Sequence, residues 1–184
     1  GSELSYFGND HWNKFSHGLK NIEDATFLRG KILKSFEKAE RLKNKQEIEK
    51  FMRFVLIGGG PTGVEMAGAI AELSRNVLTK EFTTIDTKAA KIILLEAGPS
   101  ILPTASASLS IYAKKTLERL GVEVHCNTLV NNITESIVET NTATIEAETI
   151  IWCAGVKASP ISNWIDVKTD KVGRVFVNDN MSIP

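Results

Sequence analysis

The chain lacks an excess of either charge: 22 Lys and Arg stand against 22 Asp and Glu in 184 residues. There is thus no basic field of the kind that recruits nucleic acid. It lacks a run of eighteen apolar residues, and no signal peptide opens it, so no membrane span is expected. It has only two cysteines, Cys126 and Cys153, distant from one another and without C-x-x-C spacing. Both read as buried reduced thiols, ahead of a metal or redox role. His11, His17 and His125 show neither metal-ligand spacing nor a partner nucleophile, so no metal site is expected. Repeats and low-complexity tracts are absent as well. What remains is 42% hydrophobic and 24% charged, ordinary for a soluble chain with one core, or one core and an appendage.

Against that background one stretch stands out: "RFVLIGGGPTGVEMAGAIAEL", residues 53 to 73. Phe54, Val55, Leu56 and Ile57 form a short continuous apolar run, which suits a strand covered on both faces of a parallel sheet. From Val64 onward the apolar residues Val64, Ala67, Ala71 and Ile70, Leu73, Val77 recur three and four apart, so the chain has become a helix. Between strand and helix, Gly58, Gly60 and Gly63 occupy the G-x-G-x-x-G positions. Those glycines allow a tight turn, close approach of a pyrophosphate, and close packing of helix on strand. Amide N–H groups and the positive end of the helix dipole suffice to hold a diphosphate without a lysine. A Walker loop needs Gly-Lys-Ser/Thr at its end; here Val64 and Glu65 follow Gly63, which excludes that class.

A second apolar run, "KIILLEAG" at 91 to 98, ends in Glu96. An acid at that place accepts hydrogen bonds from an adenosine ribose and repels a 2′-phosphate, which favours NAD over NADP. Glu96 lies thirty-eight positions past Gly58, against a usual interval of about 20. The segment "SRNVLTKEFTTIDTKAA", 74 to 90, accounts for the excess as a prolonged helix followed by a polar excursion.

The other elements follow in order. Residues 22 to 43 read as an amphipathic helix capped by Asn21, with Ala25, Leu28, Ile32, Phe36 and Ala39 inward. The mixed charges of 38 to 50 read as a solvated face. "ASLSIYAKKTLERLG" reads as a helix with Leu109, Tyr112, Ala113, Leu117 and Leu120 on or near one face and Gly121 as its stop. "VEVHC" is the expected third parallel strand, the runs near 129 to 134, 136 to 140 and 143 to 147 an antiparallel meander, and "TIIWCAG" a return beside the first strand. "GRVFVNDN" gives one more strand signal. Trp12, Trp152 and Trp164 read as packing residues, and residues 5 to 12 as a loosely ordered terminus. The fold expected is α/β: a Rossmann-like NAD-binding domain with a parallel sheet, flanking helices and a small antiparallel β-meander. Residues 1–50 are read as a linker segment and amphipathic helix, and 51–184 as the binding domain.

The segments "GLKNIEDATFLRGKILKSFEKAE", "VLIGGGPTGVEMAGAIAEL", "IILLEAGPSILP", "LERLGVEVHCNT", "TIIWCAGVKASP" and "DKVGRVFVNDNMSIP" resemble, in that order, the type II NADH:quinone oxidoreductases. These are single-subunit flavoproteins of the respiratory chain, within the pyridine nucleotide-disulfide oxidoreductase superfamily. The resemblance implies NADH and FAD as cofactors and a quinone acceptor. It also implies a peripheral place on the cytoplasmic face of a membrane through C-terminal helices, and room for a homodimer. It covers the middle of such an enzyme: the flavin glycine motif that precedes, and the Gly-Asp motif and helices that follow, have no counterpart here. The chain is therefore expected to be an NADH-binding domain inactive by itself, with Gly1 and Ser2 either native or a cloning remnant.

For single residues the resemblance implies the following. Glu65 faces the junction of nicotinamide and flavin, as a positioning group; by sequence alone an acid early in a helix is a dipole-stabilising surface residue. Gly59, Pro61 and Thr62 shape the pyrophosphate loop with the three motif glycines. Ala154 and Gly155 let the cofactor pass a strand end, and Val130 touches adenine. Two alternatives stay open: another two-dinucleotide flavoprotein reductase, and a non-catalytic NAD-sensing module.

Overall fold

A computed structural model describes residues 2–161 and 164–184. In chain order its elements are β1 (Ser2–Leu4), β2 (His17–Gly18), α1 (Ile22–Arg41), α2 (Lys45–Phe51), β3 (Arg53–Ile57), α3 (Pro61–Glu72), β4 (Lys91–Leu95), α4 (Ala107–Arg119), β5 (Val122–His125), β6 (Val130–Ile133), β7 (Ile137–Thr140), β8 (Thr144–Glu146), β9 (Thr149–Trp152) and β10 (Val156–Ala158). The chain divides into a larger unit, His11–Ala154, and a smaller one made of Gly1–Asp10 and Gly155–Pro184. α1 lies within the larger unit.

The larger unit is built on a five-stranded sheet in the order β2-β9-β3-β4-β5, parallel at every pairing. Phe54, Leu56, Ile92, Leu94 and Ile151 join Leu28, Ile32 and Phe36 of α1, Ile70 and Ala71 of α3 and Leu117 of α4 in one apolar cluster. The intervening strand residues Val55, Ile57, Ile93, Leu95 and Ile150 are buried too. Both their faces being covered, β3 and β4 need no polar position after their first residue and read as unbroken apolar runs. β6, β7 and β8 form a separate antiparallel sheet. In the smaller unit β1 pairs antiparallel with β10.

Asn21 caps α1 as expected, within a reciprocal pair: its side chain accepts from the Asp24 amide at 2.7 Å and Asp24 accepts from the Asn21 amide at 3.2 Å. The segment after α3 differs from a prolonged α-helix. It widens into a π-helical turn at Leu73–Val77 and tightens into 3₁₀ turns at Leu78–Lys80 and Thr87–Ala89. Side chains hold this path. Ser74 donates to the Ala71 carbonyl, Thr87 donates to the Ser74 carbonyl, and the Glu40 carboxylate accepts from the amides of Thr83, Thr84 and Ile85.

Four expectations are corrected. Leu109 and Tyr112 of α4 are 59% and 63% exposed, because the helix turns Ser110 and Leu117 inward instead. Ser110 is tolerated there since its hydroxyl donates to the Ile101 carbonyl at 2.6 Å. Trp164 is 72% exposed, whereas Trp12 and Trp152 are buried with ring centroids 5.8 Å apart. Within residues 5–12 there is a turn at Phe7 and Gly8 and the start of a 3₁₀ helix, Asp10–Lys14, and Tyr6 and Trp12 are buried. "GRVFVNDN" supplies only an isolated bridge, Thr169 to Val175. There Asp170 accepts from the Val172 and Arg174 amides and the Arg174 guanidinium, folding the segment into a tight turn.

Candidate functional site

The strand order fixes where a ligand fits. From β3 the chain winds outward through β4 and β5, then returns to β9 on the other side of β3. The loops leaving the carboxyl ends of β3 and β9 therefore diverge, which opens the crevice where ligands of open α/β sheets bind. Ile57 and Trp152 are register partners, and the Cys153 amide donates to the Ile57 carbonyl at 2.8 Å. Gly58 directly follows Ile57, and Ala154 lies two residues past Trp152. A Cβ on Gly58 would lie 2.7 Å from the Ala154 nitrogen, and Gly58 has φ +110°. Contact and backbone angle both demand glycine there.

The remaining glycines of the turn differ in what surrounds them. A Cβ on Gly63 would collide with the Gly58 carbonyl oxygen and come within 3.3 Å of Leu94, so α3 starts in direct contact with the β3 turn. A Cβ on Gly59 would meet Ile101 at 2.8 Å and Glu96 at 2.9 Å. Gly60, by contrast, has nothing within 4 Å of its missing Cβ. It is the N-cap of α3, no side chain caps that helix, and Pro61 occupies its first position. Bare amides at a helix start and open space beside the cap make a receptor for an anionic group.

Glu96 follows β4 and is half-buried. One of its oxygens accepts from the Gly59 amide at 2.6 Å and the other from the Gly98 amide at 2.6 Å. The carboxylate thus braces the glycine turn against its own loop. A carboxylate offers about four lone-pair sites, so acceptor capacity is left for a ribose hydroxyl. The brace extends outward. The Asn127 amide donates to the Gly98 carbonyl at 2.8 Å, the Thr128 amide to the Glu96 carbonyl at 2.9 Å, and Asn141 links Asn127 and Leu129. Val130, half-buried at the start of β6, comes next in the chain.

The structure thus brings together Gly58, Gly59, Gly60, Pro61, Thr62, Gly63, Glu96 and Ala154 around one end of the sheet. Glu65 is exposed on α3, one turn on from Pro61. Gly155 belongs to the smaller unit, has φ +66°, and its missing Cβ would strike the Ser5 carbonyl and the Phe7 ring. That gives Gly155 a backbone reason to be glycine. Sequence reasoning missed Gly98 and the 127–129 loop as partners of Glu96; the signal available was the glycine two residues after the acid, where a carboxylate can turn back on the main chain.

Burial pushes the Cys153 thiol up to about 12, so it is a neutral packing group. Among the described residues no cluster suited to a metal ion occurs, and no helix is long and apolar enough to cross a membrane.

Comparison with known proteins agrees with this geometry. The profile of the pyridine nucleotide-disulphide oxidoreductases matches residues 12–184. Two type II NADH:quinone oxidoreductases of Mycobacterium tuberculosis, Ndh and NdhA, are 42% and 39% identical over the whole of this chain. The chain spans 42% and 41% of their lengths. The structure of NDH2 from Plasmodium falciparum in complex with NADH superposes with a TM-score of 0.80 at 23% identity, over 86% of this chain and 34% of that one. With a five-stranded parallel sheet, a glycine turn at its switch point and a profile match reaching from residue 12 to the last residue, the chain belongs to the pyridine nucleotide-disulphide oxidoreductase family.

Proposed function

We propose that this chain is the NADH-binding portion of a flavin-dependent NADH:quinone oxidoreductase. The observation that carries the reading is the uncapped start of α3, opening beside Gly60 onto the crevice between β3 and β9. The names of the two M. tuberculosis relatives supply the chemistry to which such a cradle belongs.

In this reading the diphosphate lies against the first amides of α3, with Gly60 leaving room for it and Pro61 and Thr62 shaping the turn. Glu96 accepts from the adenosine ribose while keeping its hold on Gly59, and Val130 flanks the adenine. Across the sheet the dinucleotide passes Ala154, and Glu65 meets the carboxamide of the nicotinamide. These residues supply binding and orientation; none is asked to move a proton. Flavin supplies the hydride acceptor in this class of enzyme. The described residues form one glycine cradle, which the dinucleotide fills, so no residue of this chain is assigned to flavin. Quinone reduction, pairing into a homodimer and attachment to a membrane belong to the whole enzyme that the reading implies.

Calorimetric titration with NADH and NADPH tests the proposal, followed by NADH oxidation assays with a soluble quinone. Saturable NADH binding, tighter than NADPH, together with no flavin-independent oxidation, is the expected result. Absence of NADH binding, or quinone reduction without flavin at the rate of a complete enzyme, would overturn it.

A further inference from the structure

A cavity of about 360 Å³ lies away from the glycine turn, along the side of α1 and lined also by Phe51 and Glu148. Its size suits a small molecule. Three lysines line it: Lys31, Lys34 and Lys38, spaced three and four residues apart on one face of α1. Like charges at that spacing oppose the helix they sit on. Among the described residues none of the three has an ion-pair partner, and Glu148, the acid in the wall, is 3.9 Å from Lys50. Lys31 is held below its ordinary value, first by burial, although Glu148 works the other way.

Two further features separate this place from an ordinary solvated lysine face. The first is Gly30, in the middle of a 20-residue helix, where glycine is unfavourable relative to alanine. Packing does not require it: nothing lies within 4 Å of the Cβ it lacks, and it lines the cavity. The second is the apolar wall. Phe27 and Phe51 line the cavity, with the Lys38 ammonium 5.2 Å from the centre of the Phe51 ring. Bare helix backbone, three lysines without an ion-pair partner among the described residues, and two phenylalanine rings therefore line one volume.

We propose that this cavity binds a small amphiphilic anion, a carboxylate or sulfonate on an apolar body, with its charge between Lys31 and Lys34 and its body over Gly30 between the two phenylalanine rings. The anion relieves the repulsion along α1, and the missing side chain of Gly30 gives the apolar body its room.

Titration of the chain with anilinonaphthalene sulfonate, an aromatic sulfonate that fluoresces in apolar surroundings, tests the proposal, first without NADH and then after NADH is added to saturation. One site per chain is expected, displaced by dodecanoate and not by dodecyltrimethylammonium or inorganic sulfate. Lys31→Gln and Lys34→Gln should each weaken binding roughly fivefold, the scale of one partly exposed charge pair. Gly30→Leu should abolish it by filling the cavity, while circular dichroism shows a helix at least as stable, since leucine is the better helix former. Unchanged affinity in Gly30→Leu would overturn the site, and equal displacement by inorganic sulfate would overturn the apolar body. Loss of the signal when NADH is added would place the probe in the dinucleotide crevice and refute this assignment without touching the NADH reading.

Discussion

The carboxylate of Glu96 and the amide of Gly59, separated by 37 residues of chain, are joined by a hydrogen bond of 2.6 Å. The acid that would read the ribose is therefore also part of what shapes the phosphate turn.

That double attachment makes Glu96→Gln informative. Hydrogen bonds to a charged group contribute about 1.5–3 kcal/mol, and the amide side chain keeps one good acceptor oxygen where the carboxylate had two. NADH affinity should fall, and the preference over NADPH should narrow because the repulsion of a 2′-phosphate is gone; unit charges 4 Å apart interact by up to about 4 kcal/mol near a protein surface. Titration of both nucleotides against both proteins measures the two effects separately, and an unchanged NADH/NADPH ratio would remove Glu96 from specificity.

Gly60 and Gly63 should respond in opposite ways to the same methyl group. Gly63→Ala drives a Cβ into the Gly58 carbonyl and should cost about 1–3 kcal/mol in urea unfolding, as overpacking does. Gly60→Ala meets nothing within 4 Å, so stability should stay within about 0.5 kcal/mol while NADH affinity drops. Equal NADH binding by Gly60→Ala and the parent chain would show that the open space beside the cap is not where the diphosphate lies.

Glu40 makes the 83–85 segment sensitive to acid. The Thr83 amide, ahead of the other donors, holds its carboxyl down to about 2 from an ordinary 4.5. A depressed acid contributes stability that is complete above its unfolded value and is lost as pH falls through the folded one. The tether should hold at pH 5 and fail between about 4.5 and about 2. Hydrogen exchange at the amides of Thr83, Thr84 and Ile85 follows this directly, and in Glu40→Gln the step should disappear.

Cys153 should resist alkylation. With its thiol pushed up to about 12 by burial, almost no thiolate exists at pH 8. Iodoacetamide should label it far more slowly in the folded chain than after unfolding in urea, as mass spectrometry of the modified peptide would show. Labelling at the unfolded rate would mean that the end of β9 opens readily.

The architecture was legible in the sequence where burial is two-sided. Phe54–Ile57 and Ile92–Leu95 have no polar position because both their faces are covered, and that alone marks them as inner strands of a parallel sheet. α4 was legible as a helix and misread as to face. Periodicity located Leu109 and Tyr112 correctly relative to each other, but it cannot see that the Ile101 carbonyl waits for a serine hydroxyl, which draws Ser110 inward. The acid at Glu96 was legible as a residue and not as a brace, because its partners lie on a turn thirty-odd residues earlier and on the loop beyond it. Which loops meet is decided by strand order, and composition carries no record of that.

The register of β3 and β4 also bears on how such sites are found. Ile57 stands opposite Leu95, so the next residue on each strand, Gly58 and Glu96, must emerge side by side however long the connection between them grows. The widened turn at Leu73–Val77 and the excursion after it lengthen that connection at the far end of the sheet and leave the pair where it was. The invariant is thus a rung of the ladder and not a count along the chain. A search that fixes the interval near 20 residues would pass this acid over, and one that aligns the two strands rung by rung would land on it.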